Sequence, residues 1–516
     1  MTKRGLATLL IVALTAFLPV LPATAAPATP AWEPCPADVA QLDPRVECAN
    51  VRVPLDYRRP SGTTIDVAIS RVRTAKPEQR VGVLLFNPGG PGGAGLNLSA
   101  IFARLLPQSV LDRYDLIGFD PRGIGRSTPV TCDLTEEQRT DLTKIVPYPR
   151  ADGNIAGNVR YALGIAAACA RTGDALLPFI TTANTARDMD RIRAALGEPK
   201  ISYLGYSYGS YLGAVYTSLF PRHTDRIILD SVVHPDRIWR DTLRAWGPAV
   251  EVRLGDFDRW AAARDDVYHL GATPGAVRQV FFDLVAKLDA NPVPVNGLLV
   301  DGNLFREVNR SSMYSDALFP TLAENYRFLL DNPASAAAFP EVPPDNSPMG
   351  LFAVFCGDTR WPRSIARYQR DVRTDMVSSP AVGGMAANLW PCSVWPFPPR
   401  EPPVQLAVHG PANVLLIQGL RDPATPYDGG PAMRSTLGKA ARLVTVDIGG
   451  HGIAYGVNAN PNTCADDAAT AFLITGRLPA TDRFCGPQLT TATTAAPDPA
   501  IADALAKLRN QLRRVL

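Results

Sequence analysis

Residues 201–213 read ISYLGYSYGSYLG and constrain the fold more than any other part of the chain. An apolar run of β-branched and aromatic residues, typical of a buried strand, leads to Ser207, and small residues typical of a helix start follow it. Gly205 and Gly209 stand two residues before and after the serine, where they leave room for a sharp turn. Such a turn lifts a serine hydroxyl clear of a sheet, so the segment predicts a nucleophile elbow with Ser207 at its tip.

Short apolar runs on either side of this segment predict a parallel sheet. They lie at residues 81–86, 116–119, 201–204, 227–229, 414–418 and 443–446. Continuous apolar runs, rather than alternating ones, are typical of strands that helices cover on both faces. A helix is expected over 185–196, with Met189 and Ile192 on its apolar face, Asp188 on its polar face and Gly197 at its end.

Two segments near the N-terminus alternate between apolar and polar residues. They lie at 51–55 and 64–72, and the turn-like sequence RPSG at 59–62 separates them. This pattern predicts an antiparallel edge of the sheet.

The middle of the chain has a different pattern, which predicts an inserted domain. Residues 234–408 are Ala-rich and helix-like, with Pro-rich breaks at 340–344 and 395–399. We therefore expect an α/β fold, a mostly parallel sheet flanked by helices, with an inserted, mainly helical cap. The expected division is a leader at 1–25, a first core part at 26–233, the cap at 234–408, a second core part at 409–490 with the candidate Asp and His, and a helical tail at 491–516.

The leader has the composition of a cleaved secretory signal peptide. Lys3 and Arg4 precede an apolar stretch at 6–20, and Ala23 and Ala25 suit a cleavage site. An uncleaved membrane anchor is the alternative, but the apolar stretch is short for a bilayer span. The 52 basic and 49 acidic residues nearly balance, which gives no indication of nucleic-acid binding. We expect an exported protein without stable membrane insertion, and the sequence leaves open whether it stays at the cell wall.

Eight cysteines remain after the leader, and an even number in an exported chain predicts disulfides. Eight cysteines allow about 105 pairings. The pairs nearest in sequence are Cys35 with Cys48, Cys132 with Cys169, Cys356 with Cys392, and Cys464 with Cys485. Zinc binding is the alternative, but the chain has no C-x-x-C and no cysteine at ligand spacing from a histidine. We expect no metal and no cofactor.

An acid and a base for Ser207 are expected after later strands of the sheet. Asp422 follows the run at 414–418, and His451 follows the run at 443–446, in the chain order Ser, Asp, His. Both positions lie beyond strand carboxyl ends, where open α/β sheets place their sites. Asp230 also ends a strand and is the main alternative acid, and Asp447 lies close to His451 in sequence.

The other histidines are weaker candidates for the base. We expect His223, His269 and His409 to be surface or capping residues. His234 follows the strand at 227–229 and could line the cleft, but it precedes the acid in the chain.

Two backbone amides are expected to bind a substrate oxyanion. The first is that of Tyr208, because the helix that it opens leaves its first amides unpaired. The second lies in NPGGPGG at 87–93, where Gly90 is preferred and Gly89 is close behind. In the nearby sequence GFDPRGIGRS, Asp120 and Arg122 are expected to form a structural charge pair.

These motifs together resemble the α/β-hydrolase peptidases related to prolyl aminopeptidase, and most closely the secreted tripeptidyl aminopeptidase branch. The matching pieces are NPGGPGG at 87–93, GFDPRGIGRS at 118–127, GYSYGSYLG at 205–213, GLRDPATP at 419–426 and GGHG at 449–452. The resemblance implies Ser207 as nucleophile, Asp422 as acid and His451 as base. It also implies release of short peptides, often tripeptides, from a free N-terminus.

An exopeptidase of this kind needs cap carboxylates for the substrate ammonium. The candidates are Glu251, Asp256, Asp258, Asp301, Glu307, Asp316 and Glu324, most of which we expect to be solvated. The expected protein is therefore a secreted, monomeric serine exopeptidase that acts on peptides. The alternatives are a carboxylesterase or lipase with the same triad, and a non-catalytic binding protein, which would need a broken triad.

Overall fold

The computed structural model describes residues 29–295, 298–331, 346–407, 410–457 and 461–487. The predicted leader at 1–25, the tail at 491–516, the Pro-rich break at 340–344 and His409 lie outside these residues. Within them, the strands are β1 Glu33–Pro34, β2 Glu47–Pro54, β3 Thr64–Val72, β4 Gly82–Asn87, β5 Tyr114–Phe119, β6 Ile201–Tyr206, β7 Thr224–Asp230, β8 Val293–Val295, β9 Leu298–Val300, β10 Val414–Arg421, β11 Ala441–Gly449 and β12 Arg483–Cys485.

Ten of these strands form one mixed sheet in the order β1-β2-β3-β5-β4-β6-β7-β10-β11-β12. The pairs from β5 to β12 are parallel, whereas β1, β2 and β3 pair antiparallel with their neighbours. The antiparallel edge and the parallel centre are both confirmed. This is the α/β-hydrolase fold.

Helices cover both faces of the sheet, as the continuous apolar runs predicted. On β4, Val83 and Leu85 pack into a cluster with Met189, whereas Leu84 and Phe86 face a second cluster. Alternate residues of one strand therefore enter two separate cores. The helices that precede the cap are α1 Ala37–Ala40, α2 Leu98–Leu105, α3 Gln108–Leu111, α4 Glu136–Thr140, α5 Leu142–Ile145, α6 Ala156–Thr172, α7 Thr182–Ala195 and α8 Tyr208–Leu219.

The chain between β7 and β10 is mainly helical and forms the cap. Its aromatic core includes Phe257, whose ring centroid lies 5.4 Å from that of Phe319 and 5.3 Å from that of Tyr326. The short antiparallel pair β8 and β9 also belongs to it. The cap helices are α9 Arg240–Ala262, α10 Asp265–Tyr268, α11 Pro274–Ala290, α12 Gly302–Ser312, α13 Phe319–Asp331, α14 Asn346–Asp358 and α15 Ile365–Ser378, and the core continues with α16 Gly429–Leu437 and α17 Thr463–Thr475.

The expected charge pair between Asp120 and Arg122 is wrong. Arg122 donates to Asp188 instead, from Nε at 2.6 Å and from Nη2 at 2.5 Å. Asp120 accepts from the backbone amides of Gly95 and Leu96 at 2.8 Å each. Asp188, expected on a polar helix face, is buried because it neutralises the buried Arg122.

Four disulfides join the cysteines that are nearest in sequence. They are Cys35–Cys48, Cys132–Cys169, Cys356–Cys392 and Cys464–Cys485. Each closes a short loop, of 13 to 37 residues in sequence separation. In the part of the chain that the structure covers, no helix is long and apolar enough to cross a membrane.

Candidate active site

Ser207 lies at the tip of a strained turn between β6 and α8. Its φ of 57° and ψ of −126° place it in a region that side-chain-bearing residues rarely adopt. The turn is held by its main chain, because the Ser207 amide donates to the Asp230 carbonyl at 3.0 Å and the Ser210 amide donates to the Ser207 carbonyl at 2.8 Å. Strain of this kind persists where the surroundings over-determine it, as they do here.

The flanking glycines are required by close packing. A Cβ at Gly205 would lie 2.5 Å from the Gly209 carbonyl oxygen, and one at Gly209 would lie 2.8 Å from the Asn87 carbonyl oxygen. A Cβ atom at either position would clash, because backbone carbonyl oxygens occupy the space beside these two glycines.

Asp422 and His451 are brought together at the carboxyl ends of β10 and β11. His451 Nδ1 lies 2.9 Å from both carboxylate oxygens of Asp422. Asp422 also accepts hydrogen bonds from the amides of Ala424 at 2.8 Å and Thr425 at 2.9 Å. A carboxylate with this many donors orients the imidazole with its proton on Nδ1, which leaves Nε2 as an acceptor. His451 Nε2 is buried and has no hydrogen-bond partner among the described residues.

The Thr425 hydroxyl completes this arrangement, and sequence reasoning missed it. It donates to Asp422 Oδ2 at 2.9 Å and lies 3.4 Å from His451 Nδ1. The spacing Asp-x-x-Thr, in which a carboxylate caps the turn that follows it, is the signal that could have identified it.

Asp230, the alternative acid, contacts the loop of the base but not its ring. Its carboxylate accepts from the amides of Ile453 at 3.0 Å and Ala454 at 2.7 Å. The neighbouring Ser231 hydroxyl accepts from the Gly452 amide at 2.8 Å. Since the Asp230 carbonyl also holds Ser207, the end of β7 ties the serine turn to the histidine loop. Burial raises the pKa of the Asp230 carboxyl to about 7.

The remaining alternatives have other partners. Asp447 accepts from Arg421 Nη1 at 2.6 Å. His223 Nδ1 lies 2.6 Å from Asp190, and His234 Nδ1 accepts from the Asp236 amide at 3.2 Å.

Two amides are the candidate oxyanion donors that the sequence predicts. Tyr208 opens α8, and neither its amide nor that of Gly90 donates a hydrogen bond within the described residues. Gly89 packs directly on the turn, because a Cβ there would lie 2.8 Å from the Cβ of Ser207 and 3.2 Å from the Tyr208 nitrogen. The NPGGPGG loop therefore reaches the serine turn.

The cap contributes Tyr314, which no sequence signal pointed to. Its carbonyl accepts from the His451 amide at 3.0 Å, and its ring meets the imidazole edge-on, with centroids 5.0 Å apart. Ser207, Asp422 and His451 are 4%, 2% and 2% exposed, so the site is enclosed.

Most of the cap carboxylates are paired, which corrects the expectation that they are solvated. The exception among the seven candidates is Glu324, which is exposed. Glu307 is buried and accepts from Arg310 Nε at 2.9 Å and from the Tyr148 hydroxyl at 3.0 Å. The partners of the other five are Arg278 for Glu251 and Asp258, Arg253 for Asp256 and Asp316, and the Leu304 amide for Asp301.

Known proteins resemble this chain over most of its length. A family model described as TAP-like protein matches residues 379–485, which include Asp422 and His451. The tripeptidyl aminopeptidase of Streptomyces lividans is 36% identical over 482 residues, covering 89% of this chain and 87% of that protein. This chain belongs to the tripeptidyl aminopeptidase family. It is a serine hydrolase.

Two mycobacterial proteins show that the tripeptidyl aminopeptidase family has relatives with different names. Serine protease Hip1 of Mycobacterium tuberculosis is 29% identical over 487 residues, covering 88% of this chain and 90% of that protein. Carboxylesterase B of Mycobacterium tuberculosis is 30% identical over 492 residues, again covering 88% of this chain and 90% of that protein.

Proposed function

We propose that this protein is a secreted serine exopeptidase that releases short peptides, three residues long, from free N-termini. The observation that carries the proposal is the geometry of the base: Asp422 holds His451 Nδ1, and the buried Nε2 has no partner of its own. The similarity to a tripeptidyl aminopeptidase supports the choice of substrate. The predicted leader and the four disulfides support secretion.

In the proposed mechanism, His451 Nε2 accepts the proton of the Ser207 hydroxyl as Ser207 Oγ attacks the scissile carbonyl carbon. The tetrahedral oxyanion accepts hydrogen bonds from the amides of Tyr208 and Gly90. The C–N bond then breaks, and the imidazolium of His451 donates its proton to the leaving amine. Water, deprotonated by His451, attacks the acyl-enzyme and releases the N-terminal peptide and the serine. Asp422 stabilises the imidazolium in both halves.

A carboxylesterase is the second candidate, and the 30% identity to carboxylesterase B favours it over other hydrolases. Ester and amide hydrolysis pass through the same kind of tetrahedral intermediate, so the same three residues would serve. The two candidates differ in their need for a free substrate ammonium.

The test compares a peptide that has a free N-terminus with its N-acetylated twin and with a short acyl ester, and follows products by mass spectrometry. We expect three-residue fragments from the free peptide and none from the acetylated one. The Ser207→Ala variant should fold and release nothing, because the glycines rather than the hydroxyl form the turn. Hydrolysis of the ester with neither peptide cleaved would favour the esterase, and turnover by Ser207→Ala would exclude Ser207 as nucleophile.

A further inference from the structure

Asp358, the last residue of α14 in the cap, is a buried carboxylate whose described partners are all uncharged. It is 8% exposed. Its oxygens accept from the Thr182 amide at 2.7 Å, the Thr182 hydroxyl at 2.5 Å and Trp239 Nε1 at 3.0 Å. Burial raises the pKa of Asp358 to about 6. Burying an ionised carboxylate without a paired cation is unfavourable in free energy, so the three hydrogen bonds to Asp358 must offset this unfavourable burial.

The Thr182 hydroxyl has one proton, and its distance of 2.5 Å from a carboxylate oxygen of Asp358 shows that it donates this proton to Asp358. Thr182 Oγ1 also lies 2.9 Å from the Tyr208 hydroxyl. Since Thr182 donates to Asp358, it accepts from Tyr208. The hydrogen bonds therefore run in one direction, from Tyr208 through Thr182 to Asp358.

Asp358 also helps to position the ring of Tyr208, through Trp239. Trp239, which donates to Asp358, packs against the ring of Tyr208 with centroids 5.5 Å apart. It packs against the ring of Tyr211, one turn further along α8, at 5.0 Å. The Tyr208 hydroxyl is thus linked to Asp358 through Thr182, and the Tyr208 ring contacts Trp239, which donates to the same carboxylate.

Tyr208 is the residue whose backbone amide would bind the oxyanion. The Ser207 side of that peptide is held by the Asp230 carbonyl and by Ser210, and the Tyr208 side chain is anchored to the cap. We infer that Asp358 is a positioning residue, which acts through Thr182 and Tyr208 to fix the oxyanion-binding amide beside Ser207. This inference rests on the proposed role of Ser207.

The test measures kcat and KM of Asp358→Asn, Tyr208→Phe and the double variant at pH 8, where the carboxylate is ionised. The substrate is an activated acetate ester, and active sites are counted by titration with a fluorophosphonate. We expect kcat per titrated site to fall about tenfold in each single variant with little change in KM, a fraction of the loss for deleting an oxyanion donor. Since both changes break one chain of hydrogen bonds, the double variant should lose no more than the worse single variant.

Tyr211→Phe is the matched control, because it removes a hydroxyl one turn along the same helix that has no hydrogen-bond partner within the described residues. Its kcat should stay within twofold of the wild-type value. A purely structural role for Asp358 would lower the melting temperature or the titratable fraction and leave kcat per site unchanged, which would overturn the inference. Losses that multiply in the double variant would also overturn it.

The ester assay separates this inference from the proposed function. A wild-type protein that hydrolyses the ester but no free peptide would contradict the exopeptidase and still test Asp358. A wild-type protein that does not react with the fluorophosphonate would remove Ser207 as nucleophile, and the inference would fall with it.

Discussion

Asp422 accepts from two backbone amides, the Thr425 hydroxyl and His451, so its orientation depends on more than its place after a strand. The Thr425 hydroxyl is the one side-chain donor in this set apart from the imidazole. Thr425→Val keeps the shape and removes that donor. Hydrogen bonds to charged groups contribute about 1.5–3 kcal/mol, so we expect kcat to fall about tenfold or more. Steady-state kinetics on a peptide or an ester would measure this.

Thr425→Ser is the control for that substitution, because it retains the hydroxyl and loses one methyl group. It should keep most of the wild-type kcat. If the valine variant melted at a lower temperature and yet retained full kcat, the hydroxyl would stabilise the loop without orienting Asp422 and His451 for the proposed reaction.

The close packing of Gly89 on the serine turn leads to a second prediction at the scale of one residue. A Cβ at this position would lie 2.5 Å from the Tyr206 carbonyl oxygen and 2.8 Å from the Cβ of Ser207. The loop or the serine turn must therefore move in Gly89→Ala. A displacement of about 1 Å at reacting groups can cost about 100-fold in rate, and we expect a loss of kcat/KM of that order.

Gly173→Ala is the control for a positive φ without a clash, because Gly173 has a φ of 61° and a Cβ there would meet no atom within 4 Å. It should lower the melting temperature and leave kcat/KM unchanged. Equal kinetic losses in the two variants would show that packing on Ser207 is not the cause.

At the scale of the elements, the end of β7 holds the Ser207 turn and the His451 loop together. Asp230 binds the Ser207 amide through its carbonyl and the loop after His451 through its carboxylate. In Asp230→Asn, the side-chain NH₂ group would face the amide of either Ile453 or Ala454, and both groups are donors. An unpaired buried donor costs about 1–3 kcal/mol, so we expect both a lower melting temperature and a lower kcat.

Calorimetry and kinetics on the same preparation would check this prediction. Asp467→Asn, which changes an exposed carboxylate, is the control and should alter neither quantity. A normal kcat in a destabilised Asp230→Asn protein would limit Asp230 to the stability of the sheet.

Strands were predictable where the spacing of apolar residues along the sequence determines them. The runs at 201–204 and 414–418 became β6 and β10, and the alternating run at 64–72 became β3, because burial on two faces or on one face imposes these patterns directly. The partners of buried charges were not predictable. Arg122 pairs with Asp188 across 66 residues, and such distances are set by the packing of helices rather than by local sequence. For the same reason, Tyr314 and Asp358 gave no signal.

At the scale of the whole molecule, seven aspartates among the described residues have raised pKa values, for which desolvation by burial is the largest cause. The pKa is raised to about 7 for Asp230 and to about 6 for Asp258, Asp358, Asp375 and Asp466, and it is also raised for Asp120 and Asp301. An unfolded Asp titrates near pH 3.9. Between about pH 4 and pH 7 the folded chain therefore binds more protons than the unfolded chain, and the free energy of unfolding decreases as pH rises through this window.

We expect a melting temperature a few degrees lower at pH 8 than at pH 5, measured by calorimetry at constant ionic strength. His234, whose pKa is lowered by burial, acts in the opposite direction, but it is one group against seven aspartates. Carboxylates with lowered pKa values, such as Asp56 at about 2, lose their contribution only below about pH 4 and do not enter this comparison. A melting temperature that rose between pH 5 and pH 8 would contradict the prediction.

Asp375→Asn tests the cause, because Asp375 lies in the cap and its buried Oδ2 has no hydrogen-bond partner among the described residues. The amide cannot ionise, and it breaks no hydrogen bond at that oxygen. We therefore expect the variant to melt at a higher temperature than the wild type at pH 8 and at nearly the same temperature at pH 5. The Asp266→Asn variant, which changes another exposed carboxylate, should follow the wild type at both values. An Asp375→Asn curve parallel to that of the wild type would mean that the carboxylate stays solvated when ionised, and the pH dependence would then have to come from the other six aspartates.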